Sequence, residues 1–385
     1  MHFADFDHAA FLRDTWQKRP LLIRNPWANW INPLEPDELA GLACEESGVE
    51  SRLITRRSDG MVLESGPFPE ARFAKPEAAP WTLLVQAVDH HVPEVAMLIA
   101  PFRFVPDWRI DDVMVSYAAD GGGVGPHFDQ YDVFLVQGLG RRRWRVGPRC
   151  GADTPLVLHA DLRLIADFEA TGDWVLEAGD ILYVPPGFAH DGVAVGGDCM
   201  TYSIGFRAPS RADLVEGWAA HLADALPEDD RYTDADLVPQ AHPGEITPAA
   251  LERLHAMALS GLADGAAFAR WFGAYTSLPK YADADWQPEA AVGQAVVQAL
   301  IASSQPLARN PASRFAFIRQ GEGALFLFVD GQSFDCTGDA ARVAEQICAS
   351  ASLTLGPALS ASPAVVTLVA ALIDQGSLAF DEDER

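Results

Sequence analysis

Three textures of hydrophobic and polar positions follow one another along the chain. In the first hundred residues short helical and strand-like patterns mix. Residues 11–19 place apolar side chains at helical spacing up to Pro20, which cannot continue a helix, and Leu21-Leu22-Ile23 then reads as a strand. From 112 to 206 the period shortens. Runs at 113–117, 133–137, 143–146, 173–176, 181–184 and 200–206 are rich in β-formers and separated by glycine and proline. That spacing predicts an antiparallel double-sheet barrel. Past Arg207-Ala208-Pro209 the pattern turns helical over 212–225 and 249–262, with an acidic, proline-bearing connection at 227–243 between them. Residues 279–288 read as a linker. The end of the chain predicts a helix near 290–303, a hairpin over 314–334 with turns at Gly321-Glu322-Gly323 and Asp330-Gly331, two helices and a short strand. That order resembles a winged helix. The expectation is an α+β chain: a barrel with its N-terminal elements at 1–208, a helical region at 209–278 and a winged-helix-like module at 289–385.

Composition narrows the function classes. A chain of 385 residues can bury a sizeable core. No run of eighteen apolar residues is present, and Met1-His2-Phe3-Ala4-Asp5 lacks the features of a signal peptide, so a cytoplasmic protein without a membrane span is expected. The five cysteines are scattered and never form Cys-x-x-Cys, which argues against a disulfide framework or a thiolate zinc site. Against 28 Lys and Arg stand 54 Asp and Glu, a net charge of −26. Such a surface repels phosphate backbones, so no direct nucleic-acid partner is expected, and it attracts basic polypeptides.

The candidate chemistry lies in the barrel region. In Gly121-Gly122-Gly123-Val124-Gly125-Pro126-His127-Phe128-Asp129, side chains two apart on an extended chain share a face, so His127 and Asp129 can meet one metal. The glycines leave room for a small ligand and for close backbone approach. The third ligand is expected from His190, which follows an apolar strand and a Pro-Pro-Gly turn in 179–190. Two histidines and a carboxylate make the facial triad of non-haem iron(II) oxygenases, whose three free positions suit a chelating 2-oxo acid and O₂. A dicarboxylate co-substrate also needs a cation. In the run Arg141-Arg142-Arg143-Trp144-Arg145, strand alternation can turn only one set inward, and Arg142 is the choice. A zinc-dependent cupin hydrolase or isomerase fits Arg142 and the glycine run less well.

With these residues in view, the passages 121–132, 138–147, 179–190 and 202–209, together with Trp16-Gln17-Lys18-Arg19-Pro20-Leu21, resemble the bacterial ribosomal oxygenases of the Jumonji-C, cupin-like class. The resemblance is closest over 110–210 and loose beyond about 279. It implies a double-stranded β-helix (a jelly roll), a helical dimerisation region making a homodimer, and a C-terminal winged helix. It further implies 3-hydroxylation of an arginine in a basic protein of the large ribosomal subunit, using Fe(II), 2-oxoglutarate and O₂. Iron would be held by His127, Asp129 and His190, and 2-oxoglutarate by Arg142 with help from Ser116. A guanidinium substrate calls for a clamp near the mouth, for which Asp120, Tyr131 and Ser210 are candidates. Two rivals stay open: an oxygenase acting on another protein by histidyl hydroxylation or lysine demethylation, and a winged-helix regulator whose barrel senses a metabolite.

Overall fold

The computed structural model describes residues 1–46, 48–58, 60–74, 79–159 and 161–380. In chain order, α1 (His8–Asp14), β1 (Leu21–Ile23), α2 (Pro36–Leu42), β2 (Ser51–Arg57), β3 (Gly60–Ser65), α3 (Ala71–Ala74), β4 (Trp81–Val85) and α4 (Pro93–Ala96) precede the barrel strands. These are β5 (Ile110–Ala118), β6 (Asp132–Leu139), β7 (Arg142–Arg149), β8 (Gly172–Leu176), β9 (Ile181–Val184), β10 (Phe188–Ala194) and β11 (Cys199–Phe206). Among the described residues no helix is long and apolar enough to cross a membrane.

Two sheets face each other. The larger has eight strands in the order β1-β9-β6-β11-β5-β4-β2-β3, and the smaller has three, β10-β7-β8. Alternation sorts their side chains. On β6, Phe134 and Val136 enter a core shared with Phe11, Trp27, Leu39 and Phe102 of the N-terminal elements. Val133 and Leu135, pointing the other way, pack on Trp144, Val146 and Leu176 of the small sheet. Burial on both faces explains why β6 and β9 read as continuous apolar runs. The N-terminal Trp16-Gln17 motif is tied to this layer: Gln17 Nε2 donates to Asp132 Oδ2 at 2.9 Å, and the Gln17 backbone N–H donates to the Tyr183 hydroxyl at 2.7 Å. The Tyr183 hydroxyl in turn donates to Asp132 Oδ1 at 2.6 Å.

Helices α5 (Arg211–Ala225), α6 (Pro248–Leu259) and α7 (Gly265–Thr276) follow. Then come α8 (Gln294–Ala302), β12 (Pro306–Arg309), β13 (Phe315–Gly321), β14 (Ala324–Val329), β15 (Gln332–Thr337), α9 (Asp339–Ala349), β16 (Ser352–Thr354), α10 (Pro363–Asp374) and β17 (Leu378–Phe380). Their sheets are β16-β12-β17 and β13-β14-β15. The predicted hairpin is thus β13-β14 extended by a third strand. Helix α7 packs on the C-terminal unit so closely that a Cβ on Gly273 would come within 2.3 Å of the Phe328 ring. Arg103 of the barrel region donates to the Cys348 and Ala349 carbonyls, each at 2.6 Å, where α9 ends.

Candidate metal centre

His127 and His190 arrive from opposite directions. They form a single antiparallel bridge, with the N–H of each donating to the carbonyl of the other at 3.0 and 2.8 Å. Asp129 sits two residues on, and its carbonyl accepts from the Gly187 N–H at 2.6 Å. The extended chain expected at His127 and Asp129 belongs to no strand: it is a loop pinned by that bridge and by the Gly187 contact. His190 lies inside β10 rather than at the rim of the turn.

The glycine run serves backbone approach, not ligand space. A Cβ on Gly122 would meet the Trp81 carbonyl oxygen at 2.2 Å, and one on Gly123 the Gly192 carbonyl oxygen at 2.3 Å. The loop threads between β4 and β10, and this holds His127 against His190.

Both imidazoles are oriented the same way. Nδ1 of His127 lies 2.8 Å from the Gly125 carbonyl, and Nδ1 of His190 lies 3.0 Å from that of Phe188. An Nδ1–H given to a carbonyl leaves Nε2 as a lone-pair donor. The two Nε2 atoms lie 4.0 and 3.6 Å from Asp129 Oδ2, and all three ligand atoms fall within 4.8 Å of one another. A first-row ion bound at about 2.1 Å with right-angled ligands needs spacings near 3 Å, so the three side chains would draw together on binding it. Burial, then the neighbouring His127, lowers the pKa of His190, which favours the neutral, ligating form.

These groups line a cavity of about 760 Å³ between the two sheets. Arg142 lines it too, as strand alternation predicted. It is 3% exposed, whereas Arg143 turns outward to Asp173. Its Nε donates to the Cys199 thiol at 3.4 Å, and its guanidinium lies 5.6 Å from the Trp144 ring. Its Nη2 is buried without a partner, and no carboxylate among the described residues pairs with it. A buried, uncompensated guanidinium is costly, so this one fits an anionic ligand. Ser116 is buried and lines the same space from β5.

Of the candidate clamp residues, Tyr131 lines the cavity, and its hydroxyl pKa is raised by burial and then by the charge of Asp129. Asp120 and Ser210 are not in its lining. Asp120 accepts from the Gly196 N–H at 2.7 Å, and Ser210 caps α5 by accepting from the Asp213 N–H at 3.0 Å. Sequence reasoning overlooked Trp144, Ser203, Asp111, Asp112, Lys280 and Arg314 as lining residues. For Asp112 and Ser203 the period-two alternation of β5 and β11 was the available signal. Lys280 and Arg314 reach the cavity from far along the chain and left none.

Residues 97–214 match the JmjC domain, and residues 260–379 match the ROXA-like winged helix. The chain is 38% identical to the ribosomal protein uL16 3-hydroxylase of Escherichia coli strain K12, over 96% of this chain and 97% of the relative. It is also similar to the X-ray structure of E. coli YcfD, with TM-score 0.87 and 37% identity over 99% of this chain and 100% of that one. A structure of YcfD, a ribosomal oxygenase from E. coli, in complex with cobalt and 2-oxoglutarate superposes with TM-score 0.85 at 36% identity, covering 99% of each chain.

Proposed function

We propose that this chain, which belongs to the Jumonji-C ribosomal oxygenases, is an Fe(II)- and 2-oxoglutarate-dependent hydroxylase that places a hydroxyl on C3 of an arginine in a large-subunit ribosomal protein, uL16. The observation that carries it is a pairing within one cavity: three metal-ligand atoms converge at one point, and a buried guanidinium without a counter-ion shares the space.

On this reading His127, Asp129 and His190 hold the metal on one face and leave the opposite face open. When bound, the iron supplies the O₂ chemistry that converts 2-oxoglutarate to succinate and CO₂ and delivers one oxygen to the substrate carbon. Arg142 pairs with the distal carboxylate of 2-oxoglutarate, which supplies its missing counter-ion. Ser116 steadies the co-substrate from β5. The apolar wall of Val133, Leu135 and Trp144 excludes water from the reacting atoms. Tyr131 meets the substrate guanidinium in the cavity; Asp120 and Ser210, candidates for the same clamp, lie outside its lining and hold the Gly196 N–H and the start of α5 instead.

The same reading assigns 1–208 to catalysis, 209–278 to dimerisation and 289–385 to the winged helix. Exposed Leu251, Leu254 and Leu259 on α6 and Val215 on α5 suit burial against a second copy. A ribosomal target places the enzyme in the cytoplasm.

The test is to incubate iron(II)-loaded protein with 2-oxoglutarate, O₂ and peptides from large-subunit proteins, following succinate and peptide mass together. A one-oxygen mass gain on arginine with matching succinate, both lost in His127→Ala, is the expected result. Succinate without a peptide shift discards the target. Oxygen on histidine, or methyl loss from lysine, points to the other protein-modifying chemistries. Neither signal from protein with metal bound sinks the activity.

A further inference from the structure

The cavity that holds the metal ligands does not end at the barrel. Its far wall is built by Tyr275 and Thr276 at the end of α7, by Leu278 and Lys280 just after it, and by Arg314, which immediately precedes β13 of the C-terminal unit. Arg314 reaches across to the barrel. Its Nη2 donates to Asp111 Oδ1 at 2.6 Å, and its Nη1 donates to the Leu278 carbonyl at 3.1 Å. Beside it, Lys280 Nζ lies 3.0 Å from Asp111 and 3.1 Å from Asp112.

These contacts settle the charges but leave one donor over. Arg314, Lys280 and Arg207, the last with its Nε 4.0 Å from Asp111, face the carboxylates of Asp111 and Asp112, so most of the cationic charge at this end of the cavity is answered within the wall. Arg314 Nε is nevertheless buried with no hydrogen-bond partner among the described residues. Buried N–H groups are almost always paired, and an unpaired one is a cost that something must offset. Because Asp111 already answers the cationic charge, what Nε–H lacks is a neutral acceptor and not a counter-ion. A main-chain carbonyl is the neutral acceptor that every protein substrate brings.

We propose that the C-terminal unit forms one wall of the substrate groove, with Arg314 Nε–H taking a main-chain carbonyl of the protein substrate beside the modified arginine. The inference rests on the reading of the chain as a protein hydroxylase. It gives the C-terminal unit a role in substrate binding that requires no nucleic acid: an extended polypeptide enters between barrel and C-terminal unit, its arginine side chain directed at the metal ligands and its backbone read at Arg314.

Arg314→Lys and Arg314→Ala separate the donor from the charge. Lysine keeps a cation for Asp111 and removes the Nε–H; alanine removes both. With the full-length protein and its ribosomal protein substrate, Arg314→Lys should raise KM on the order of threefold to tenfold, the worth of one hydrogen bond. Arg314→Ala should do at least as much, and anaerobic 2-oxoglutarate affinity should hold in both. A wild-type KM in Arg314→Lys overturns the inference alone, whether or not Arg314→Ala is impaired, because the ion pair to Asp111 would then be all that matters. A wild-type protein that releases succinate but modifies no ribosomal protein overturns the target reading and the inference together.

Discussion

The barrel and the C-terminal unit both bury large apolar cores, and they differ in what else they bury. In the C-terminal unit, side chains such as Leu327, Val343, Val369 and Leu372 pack together, and the buried polar residues among those described are Ser313 and Ser377. The barrel region buries Asp89, Asp112, Asp132, Arg142, Asp180, His190 and Asp191. Most of these charges have evident partners: Asp132 has Gln17, Tyr183 and Arg109, Asp180 has Arg24, and Asp191 has Arg145. Among the described residues Arg142 has only a thiol and an indole face. Buried charge is expensive, so a fold keeps it where a network or a ligand compensates. The contrast separates a region that keeps buried charge from one whose buried polar residues are hydroxyls, and it marks Arg142 as the charge that a ligand would have to answer.

The comparison can be broken most sharply at Arg142. Arg142→Met should weaken 2-oxoglutarate binding on the order of a thousandfold, as loss of a buried charge partner does. It should not lower the melting temperature of the ligand-free protein, because it removes a charge that the fold leaves unpaired. Calorimetric titration and thermal unfolding of one sample read both, and a clear loss of stability would mean that Arg142 is structural. Leu327→Ala in the C-terminal core should show the reverse. Denaturant unfolding should report a loss of about 3 kcal/mol, with 2-oxoglutarate affinity unchanged.

Buried charge should also give the barrel a pH dependence that the C-terminal unit lacks. Asp89 is raised to about 7 by burial and then by Asp112, from an ordinary 3.8. Its contribution is therefore full below the unfolded value and is lost as pH rises through 7. His90 runs the other way. Burial lowers it from 6.5 to about 4, so its contribution is full above 6.5 and is lost as pH falls toward 4. In the native protein the two oppose each other between 4 and 6.5. Asp89→Asn leaves His90 alone, so its melting temperature should climb over that window and then level, and a profile matching the native one would refute the assignment. The smallest expected effect is at Ser116. Ser116→Ala should cost about 1 kcal/mol of 2-oxoglutarate affinity, the worth of one hydrogen bond, visible as a roughly fivefold shift in a binding titration.

Much of this was legible in the chain itself. Period-two alternation located β5, β6, β7, β8, β9 and β11, and it turned Arg142 inward while Arg143 faced water. The spacing of His127 and Asp129, with His190 after its turn, named the three side chains that the structure brings within 4.8 Å of one another, because those residue types have few other reasons to share a glycine-flanked context. Other elements were hidden. β2, β3 and β4 join the large sheet although stretches such as Ser51-Arg52-Leu53-Ile54-Thr55-Arg56-Arg57 mix charge into their pattern. β10 contains His190, Asp191 and Gly192, poor strand formers that are extended because they pair with β7.

The sequence by itself therefore determined the class of fold, the candidate cluster of His127, Asp129 and His190, and the inward arginine, since each follows from local periodicity and side-chain chemistry. Only the tertiary structure decided that the glycine run serves backbone contact with Trp81 and Gly192, that Arg142 is left without a counter-ion, and that Arg314 closes the cavity over Asp111. Those facts depend on which distant segments meet, and burial turns such meetings into energies that no local pattern encodes.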